Sequence, residues 1–209
     1  MCGIIGYSGP KEPLPILIGG LSRLEYRGYD SAGVAILDGE KLTIEKKEGK
    51  LQVLKDHLTN SKINGNIGIG HTRWATHGVP NDVNAHPHSD NQNEFAIIHN
   101  GIIENYAEMK EDLLKEGFVF ESDTDTEVVA VELGNQWTGR LLETVTNVAK
   151  KLDGTYALVV TSTKEPGTIV AGRMMSPLVL GVGEGETFLA SDSAAILEHT
   201  NKMIFLENG

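Results

Sequence analysis

The only cysteine in the chain, Cys2, lies directly behind Met1 and ahead of Gly3. Cysteine is small enough for methionine aminopeptidase to remove Met1, so the mature chain is expected to open on a residue with both a thiol and a free α-amine. The thiol is a nucleophile, and the amine, with a reference pKa of about 7.7–8.0, can take its proton near neutrality. One terminal residue can thus stand in for a Cys/His pair. An incidental small residue at a start codon would look the same, so the reading depends on what else the chain offers.

Four further segments carry polar groups that a core does not need: Arg27 to Gly33, His71 to Gly78, Asn84 to His88 with His99-Asn100-Gly101, and Ser122 to Glu127. Arg73 and Thr76 follow a strand-like run, where loops carry binding groups, and an arginine can clamp a carboxylate through two parallel hydrogen bonds. Alone, Arg73 would read as a surface residue. Asp125 falls at a helix start, where a carboxylate either complements the helix dipole or meets a ligand ammonium. Asn100-Gly101 offers a side-chain amide and a backbone N–H that could hold an oxyanion, although Asn-Gly is also an ordinary turn. His86 and His88 are two apart and His71 and His77 six apart; neither spacing matches a helical zinc pair, and no further cysteine could complete a soft site. The sequence therefore argues against a metal. Gly3 and Gly6 open no helix of a βαβ unit, which argues against a dinucleotide fingerprint.

These groups need a frame, and the hydrophobic pattern supplies short strands. Ile4–Tyr7, Gly33–Leu37, Leu42–Lys47, Ile67–Gly70, Phe95–His99, Tyr156–Thr161, Thr168–Ala171, Leu178–Val182 and Thr187–Ala190 read as strands. Asp38-Gly39 signals a hairpin, and the turns at Glu165-Pro166-Gly167 and Gly183-Glu184-Gly185 imply antiparallel neighbours. Helices are expected after Pro13, from Asn105 (a cap with Glu108 as its partner) to Gly117, behind the Thr124/Glu127 signature over Val128–Trp137, and over Leu141–Leu152. Strands and helices fall in separate groups, the pattern of an α+β domain.

The 209 residues are 40% hydrophobic and 22% charged, a globular balance that can bury a core as one domain. No apolar run approaches a membrane span, no signal peptide is visible, and a single cysteine allows no internal disulfide, which together give the expectation of a cytoplasmic protein. With 18 basic against 29 acidic residues the formal charge is −11, which disfavours nucleic acid and anionic membranes as partners. The abrupt end after Leu206-Glu207-Asn208-Gly209 gives the expectation of a piece of something longer.

Taken together, Cys2-Gly3-Ile4, Leu24 to Gly33, His71 to Gly78, Asn84 to His88, His99 to Asn105 and Asp125-Thr126-Glu127 resemble, in order and across essentially the whole chain, the glutaminase domain of the glutamine–fructose-6-phosphate aminotransferases, or glucosamine-6-phosphate synthases. Other amidotransferases with an N-terminal cysteine share the cysteine and the oxyanion pair but match less after Arg27 and around Trp74. The resemblance implies an N-terminal nucleophile hydrolase fold, a four-layer αββα sandwich with two antiparallel sheets, over residues 1–209 with Met1 removed and the C-terminal sugar isomerase domains absent.

It also implies roles. Cys2 would be the nucleophile, with its α-amine as base; Asn100 and Gly101 the oxyanion hole; Arg27 a brace for the cysteine's surroundings. Arg73, with Thr76 and His77 beside it, would clamp the α-carboxylate of L-glutamine, Asp125 would meet its α-ammonium, and Trp74 would lie on a mobile loop over it. No cofactor or metal is called for. The partner implied is the isomerase half of a homo-oligomeric parent that makes glucosamine 6-phosphate. Two alternatives stand beside this reading: an N-terminal-cysteine acylase acting on another amide, to which the paired charges of Arg73 and Asp125 are ill suited, and an inactive regulatory domain.

Overall fold

The computed structural model describes residues 2–74 and 78–209; Met1, Thr76 and His77 lie outside the described residues. Two sheets carry the frame. The first contains β1 (Gly3–Ser8), β2 (Ser31–Asp38), β3 (Lys41–Glu48) and β4 (Ile67–Arg73), with three later strands. The second contains β5 (His88–Ser89), β6 (Phe95–Ile103), β7 (Gly154–Ser162) and β8 (Ile169–Met174), paired in that order. The later strands β9 (Val179–Val182), β10 (Thr187–Ala190) and β11 (Met203–Phe205) complete the first sheet, in the order β11-β9-β10-β1-β4-β2-β3. Every pairing between named strands is antiparallel, and β1, which follows Cys2, lies at the centre of its sheet.

The central strands of both sheets are buried on both faces, and the alternation of side chains along them sorts residues between two cores. On β1, Ile5 and Tyr7 face helices α1 (Pro13–Leu24) and α2 (Leu51–Leu58), while Ile4 faces the other sheet. On β6, Phe95 and Ile97 join the core under α4 (Asp125–Asn135) and α5 (Leu141–Ala149), while Ala96 and Ile98 enter the gap between the sheets with Ile69, Ala157 and Val159. Helix α3 (Tyr106–Lys115) packs its Leu113 against Val128 and Val131 of α4. The layers are therefore helix, sheet, sheet, helix, the αββα order that the resemblance implies.

Four local readings change. Helix α2, whose Leu51, Leu54 and Leu58 form a narrow buried stripe, is absent from the expectation because eight residues carry little periodic signal. The β2–β3 loop is Gly39-Glu40, one residue later than Asp38-Gly39, since Asp38 pairs with Lys41. Asn105 stands at the N-cap of α3, but its side chain does not cap. Instead its amide donates to Lys151 O at 2.8 Å and accepts from Asp153 N at 3.0 Å, fastening the loop after α5. Thr124 does cap α4, accepting from Glu127 N at 3.2 Å. The Glu127 carboxylate, rather than reaching back, receives the backbone N–H groups of Glu121 and Ser122 at 2.8 and 2.7 Å.

Ile98 is fully buried in the gap that holds the sheets together. Ile98→Ala is expected to cost about 2–5 kcal/mol through lost transfer energy and a cavity, read as a lower midpoint in urea unfolding.

Candidate functional site

The same alternation assembles the site. Ile4 on β1, Ile69 on β4 and Ile98 on β6 all face the gap between the sheets. Two residues along each strand, Cys2, His71 and Asn100 must lie on that side, and Arg73 follows at the end of β4. Antiparallel register brings Gly3 opposite Thr72, so Cys2 arrives at the end of β4. There its Sγ accepts the Trp74 backbone N–H at 3.1 Å and donates to Trp74 O at 3.6 Å. Burial pushes the thiol pKa up; the Trp74 N–H and the Arg73 charge pull it down without prevailing. Cys2 at rest is thus a thiol, and a base would be needed for it to act as a nucleophile.

Asn100 donates from Nδ2 to Cys2 O at 3.0 Å. Beside it, Gly101 adopts a φ of +131°, and an added Cβ would collide with the Thr155 carbonyl oxygen on β7. Only glycine fits, so the Asn-Gly pair is not a turn: β6 continues through it to Ile103.

Arg73 and Asp125 are both buried, 3% and 4% exposed, and both line a cavity of about 340 Å³ together with Cys2, Asn100 and Gly101. That is near the lower end of the roughly 300–1,000 Å³ typical of small-molecule sites. Asp125 opens α4, its Oδ2 accepting from Ile103 N at 2.9 Å and its Oδ1 from the Thr126 hydroxyl at 3.2 Å. Arg73 donates from Nη2 to Gly78 O at 3.4 Å. Burial lowers the guanidinium pKa, against the opposing pull of Cys2, Asp30 and Asp125. A cavity with a fixed cation, a fixed anion and a thiol suits a small zwitterion carrying an electrophilic carbon.

Arg27 borders the same cavity without touching Cys2 through a hydrogen bond among the described residues. Its Nη2 meets Asp192 Oδ2 at 2.6 Å and its Nε reaches Tyr26 Oη at 3.1 Å. The next residue, Gly28, approaches the backbone of Arg73 so closely that an added Cβ would lie 2.7 Å from the Arg73 carbonyl carbon. The Trp74 ring, 47% exposed, sits edge-on to Tyr29 at 5.5 Å. Thus Arg27, Arg73, Trp74, Asn100, Gly101 and Asp125 gather around Cys2.

Spacing did not reveal that the histidines also converge. The rings of His71 and His86 lie 4.3 Å apart, and those of His86 and His88 4.8 Å apart. His86 Nε2 and His99 Nδ1 both meet the Thr126 hydroxyl, at 2.9 and 3.0 Å, and His88 Nε2 meets the Thr124 hydroxyl at 3.0 Å. Among the described residues no group of three His, Cys, Asp or Glu side chains is arranged to hold a metal ion. Ser191 and Asp192 were missed as well. Ser191 Oγ accepts from Ile4 N at 3.0 Å, anchoring the start of β1, and Asp192 holds Arg27. A short Ser-Asp-Ser run after a strand was the available signal.

Residues 55–208 match the model of the glutamine amidotransferase domain. The chain belongs to that family. The glutamine–fructose-6-phosphate aminotransferase (isomerizing) of Aquifex aeolicus is 54% identical over 209 residues, an alignment covering all of this chain and 35% of the relative. That of Thermococcus kodakarensis is 52% identical over 211 residues, again covering all of this chain and 35% of the relative. The chain therefore spans about a third of the length of these relatives. Among solved structures, the glutamine phosphoribosylpyrophosphate amidotransferase of B. subtilis, complexed with ADP and GMP, superposes with a TM-score of 0.86 at 30% identity, over all of this chain and 46% of that one. The sandwich is the N-terminal nucleophile fold of these amidotransferases. No helix among the described residues is long and apolar enough to cross a membrane.

Burial, the leading cause in each case, holds His71 at a pKa of about 3 and drives His86 and His88 well below their ordinary value of 6.5. The unfolded chain would take up these protons below pH 6.5 and the folded chain would not. Stability is therefore expected to fall as pH drops from 6.5 towards 3, by up to about 1.4 kcal/mol per pH unit for each such ring. Urea midpoints measured at pH 7, 6 and 5 should decline in that order.

Proposed function

We propose that this domain hydrolyses L-glutamine to glutamate and ammonia through a thioester on Cys2. The observation that carries the reading is the convergence of a thiol, an amide donor and two oppositely charged buried side chains on one cavity. Arg73 holds the α-carboxylate of glutamine and Asp125 its α-ammonium, which presents the side-chain amide to Sγ. Thr76 and His77, outside the described residues, complete the carboxylate end in this reading, and Trp74 begins the segment that covers it.

Removal of Met1 frees the amine of Cys2, which takes the thiol proton, directly or through a water. Sγ attacks the amide carbon, and the oxyanion is received by Asn100 Nδ2 and the Gly101 N–H. The C–N bond then breaks, and the leaving nitrogen carries the proton away as ammonia. Water attacks the γ-glutamyl thioester, releasing glutamate and returning the proton to sulfur. Arg27, held by Asp192, walls the cavity on the nucleophile's side.

The larger role follows from the relatives' names. In a chain that also carries the isomerase half, the ammonia would convert fructose 6-phosphate to glucosamine 6-phosphate. A homo-oligomeric, cytoplasmic parent fits this role. An acylase pocket for an apolar amide would leave Arg73 and Asp125 as two buried charges with no ligand charge to meet.

Two outcomes are expected when glutamate release is assayed with the N-terminus checked by intact mass. Cys2→Ala, and any fraction that keeps Met1, should be silent; brisk turnover with Met1 in place would remove the α-amine from its role as base. Asn100→Ala should lower kcat by about 10²–10³ while KM changes little, because the lost donor acts only as charge develops.

A further inference from the structure

The Asn100 amide can work as an oxyanion donor only one way round. With Nδ2 towards Cys2 it offers N–H groups; flipped, it would present a carbonyl oxygen to Cys2 O and to any developing oxyanion. The two orientations have nearly the same shape, so packing alone cannot choose between them.

From the hydrogen-bond partners of Asn100 we infer that His71 is the positioning residue that makes this choice. This rests on the glutaminase reading above. His71, fully buried on β4, faces Asn100 across the gap. Its Nε2 lies 3.0 Å from His99 O and 3.0 Å from Asn100 Oδ1. A backbone carbonyl can only accept, so Nε2 must carry the proton. The Asn100 atom sharing that proton must then be oxygen, and the amide nitrogen is left towards the nucleophile. There one N–H donates to Cys2 O at 3.0 Å, which leaves the second for the reacting oxygen.

The opposite tautomer would set a bare ring nitrogen against two oxygens. It would also put its N–H at Nδ1, which is buried without a hydrogen-bond partner among the described residues. Both penalties favour the Nε2 proton. The low pKa, about 3, keeps the ring neutral across the working range, so the arrangement does not titrate near pH 7. The ring touches no reacting atom; it acts through the amide.

Glutamine supplies a side-chain nitrogen close to where histidine Nε2 lies, whereas asparagine, one methylene shorter, places none there. His71→Gln should therefore keep kcat within about tenfold of wild type, and His71→Asn should lower it by about 10–10³, the range for a weakened to a lost oxyanion donor. For both, KM for glutamine should stay near the wild-type value. Alkylation of Cys2 by iodoacetamide, which forms no oxyanion, should also proceed at the wild-type rate. Placed in an Asn100→Ala background, His71→Asn should cost nothing further, as expected when two residues act through one contact.

Equal losses for Gln and Asn, a loss carried by KM, slowed alkylation, or full additivity with Asn100→Ala would each overturn the inference. His71→Leu replaces the Asn variant if that one lacks a cooperative unfolding transition, and loss of folding in both makes the ring's role structural and overturns it too. A wild-type chain that releases no glutamate, with Met1 confirmed absent, would instead remove the glutaminase reading itself.

Discussion

Everything in this domain depends on two sheets whose central strands bury both faces. A sheet in water can be apolar on one side only. Here every central strand must satisfy a helix layer with one set of residues and a facing sheet with the other. The alternation that divides Phe95 and Ile97 from Ala96 and Ile98 continues without a break into chemistry. His99 points to α4 and Asn100 into the gap, and the candidate site residues are the polar continuation of two apolar rows.

That arrangement explains how charge survives in so dry a place. Arg73 and Asp125 are almost completely buried, yet neither is isolated: backbone amides, hydroxyls and the opposite charge surround them. His71, His86 and His88 solve the same problem by staying neutral, and the four histidines bond to threonine hydroxyls and a backbone carbonyl. A fixed polar environment of this kind can meet charge that develops in a bound molecule without reorganising its surroundings. The cost of keeping those rings neutral is stability lost in acid.

Much of this was legible in the chain, and the misses have physical causes. Strand existence followed from β-branched runs, but β6 was cut at His99 because Asn100-Gly101 reads as a turn; only the β7 carbonyl beside Gly101 shows why glycine is required inside a strand. Asn105 has the right type and place for a cap, and tertiary partners at Lys151 and Asp153 outbid the helix for its amide. Arg73, Asp125 and Asn100 could be picked out by residue type and by family likeness. The histidine cluster could not, because the spacings 71, 86, 88 and 99 have no period, and only the closing of one sheet on the other brings the rings together. Ser191 and Asp192 were hidden for the same reason.

The bond between Ile4 N and Ser191 Oγ joins positions 187 residues apart. Strand β1 sits between β4 and β10, so one edge of the strand behind Cys2 is covered by residues that come much later in the sequence. A ribosome makes β1 well before it makes the residues of β10 and Ser191 that cover it. Until those residues emerge, β1 keeps an open edge. The pairing of the strand behind Cys2 is thus completed only after β9 and β10 have been made, and it cannot close during synthesis of the first sheet's earlier strands.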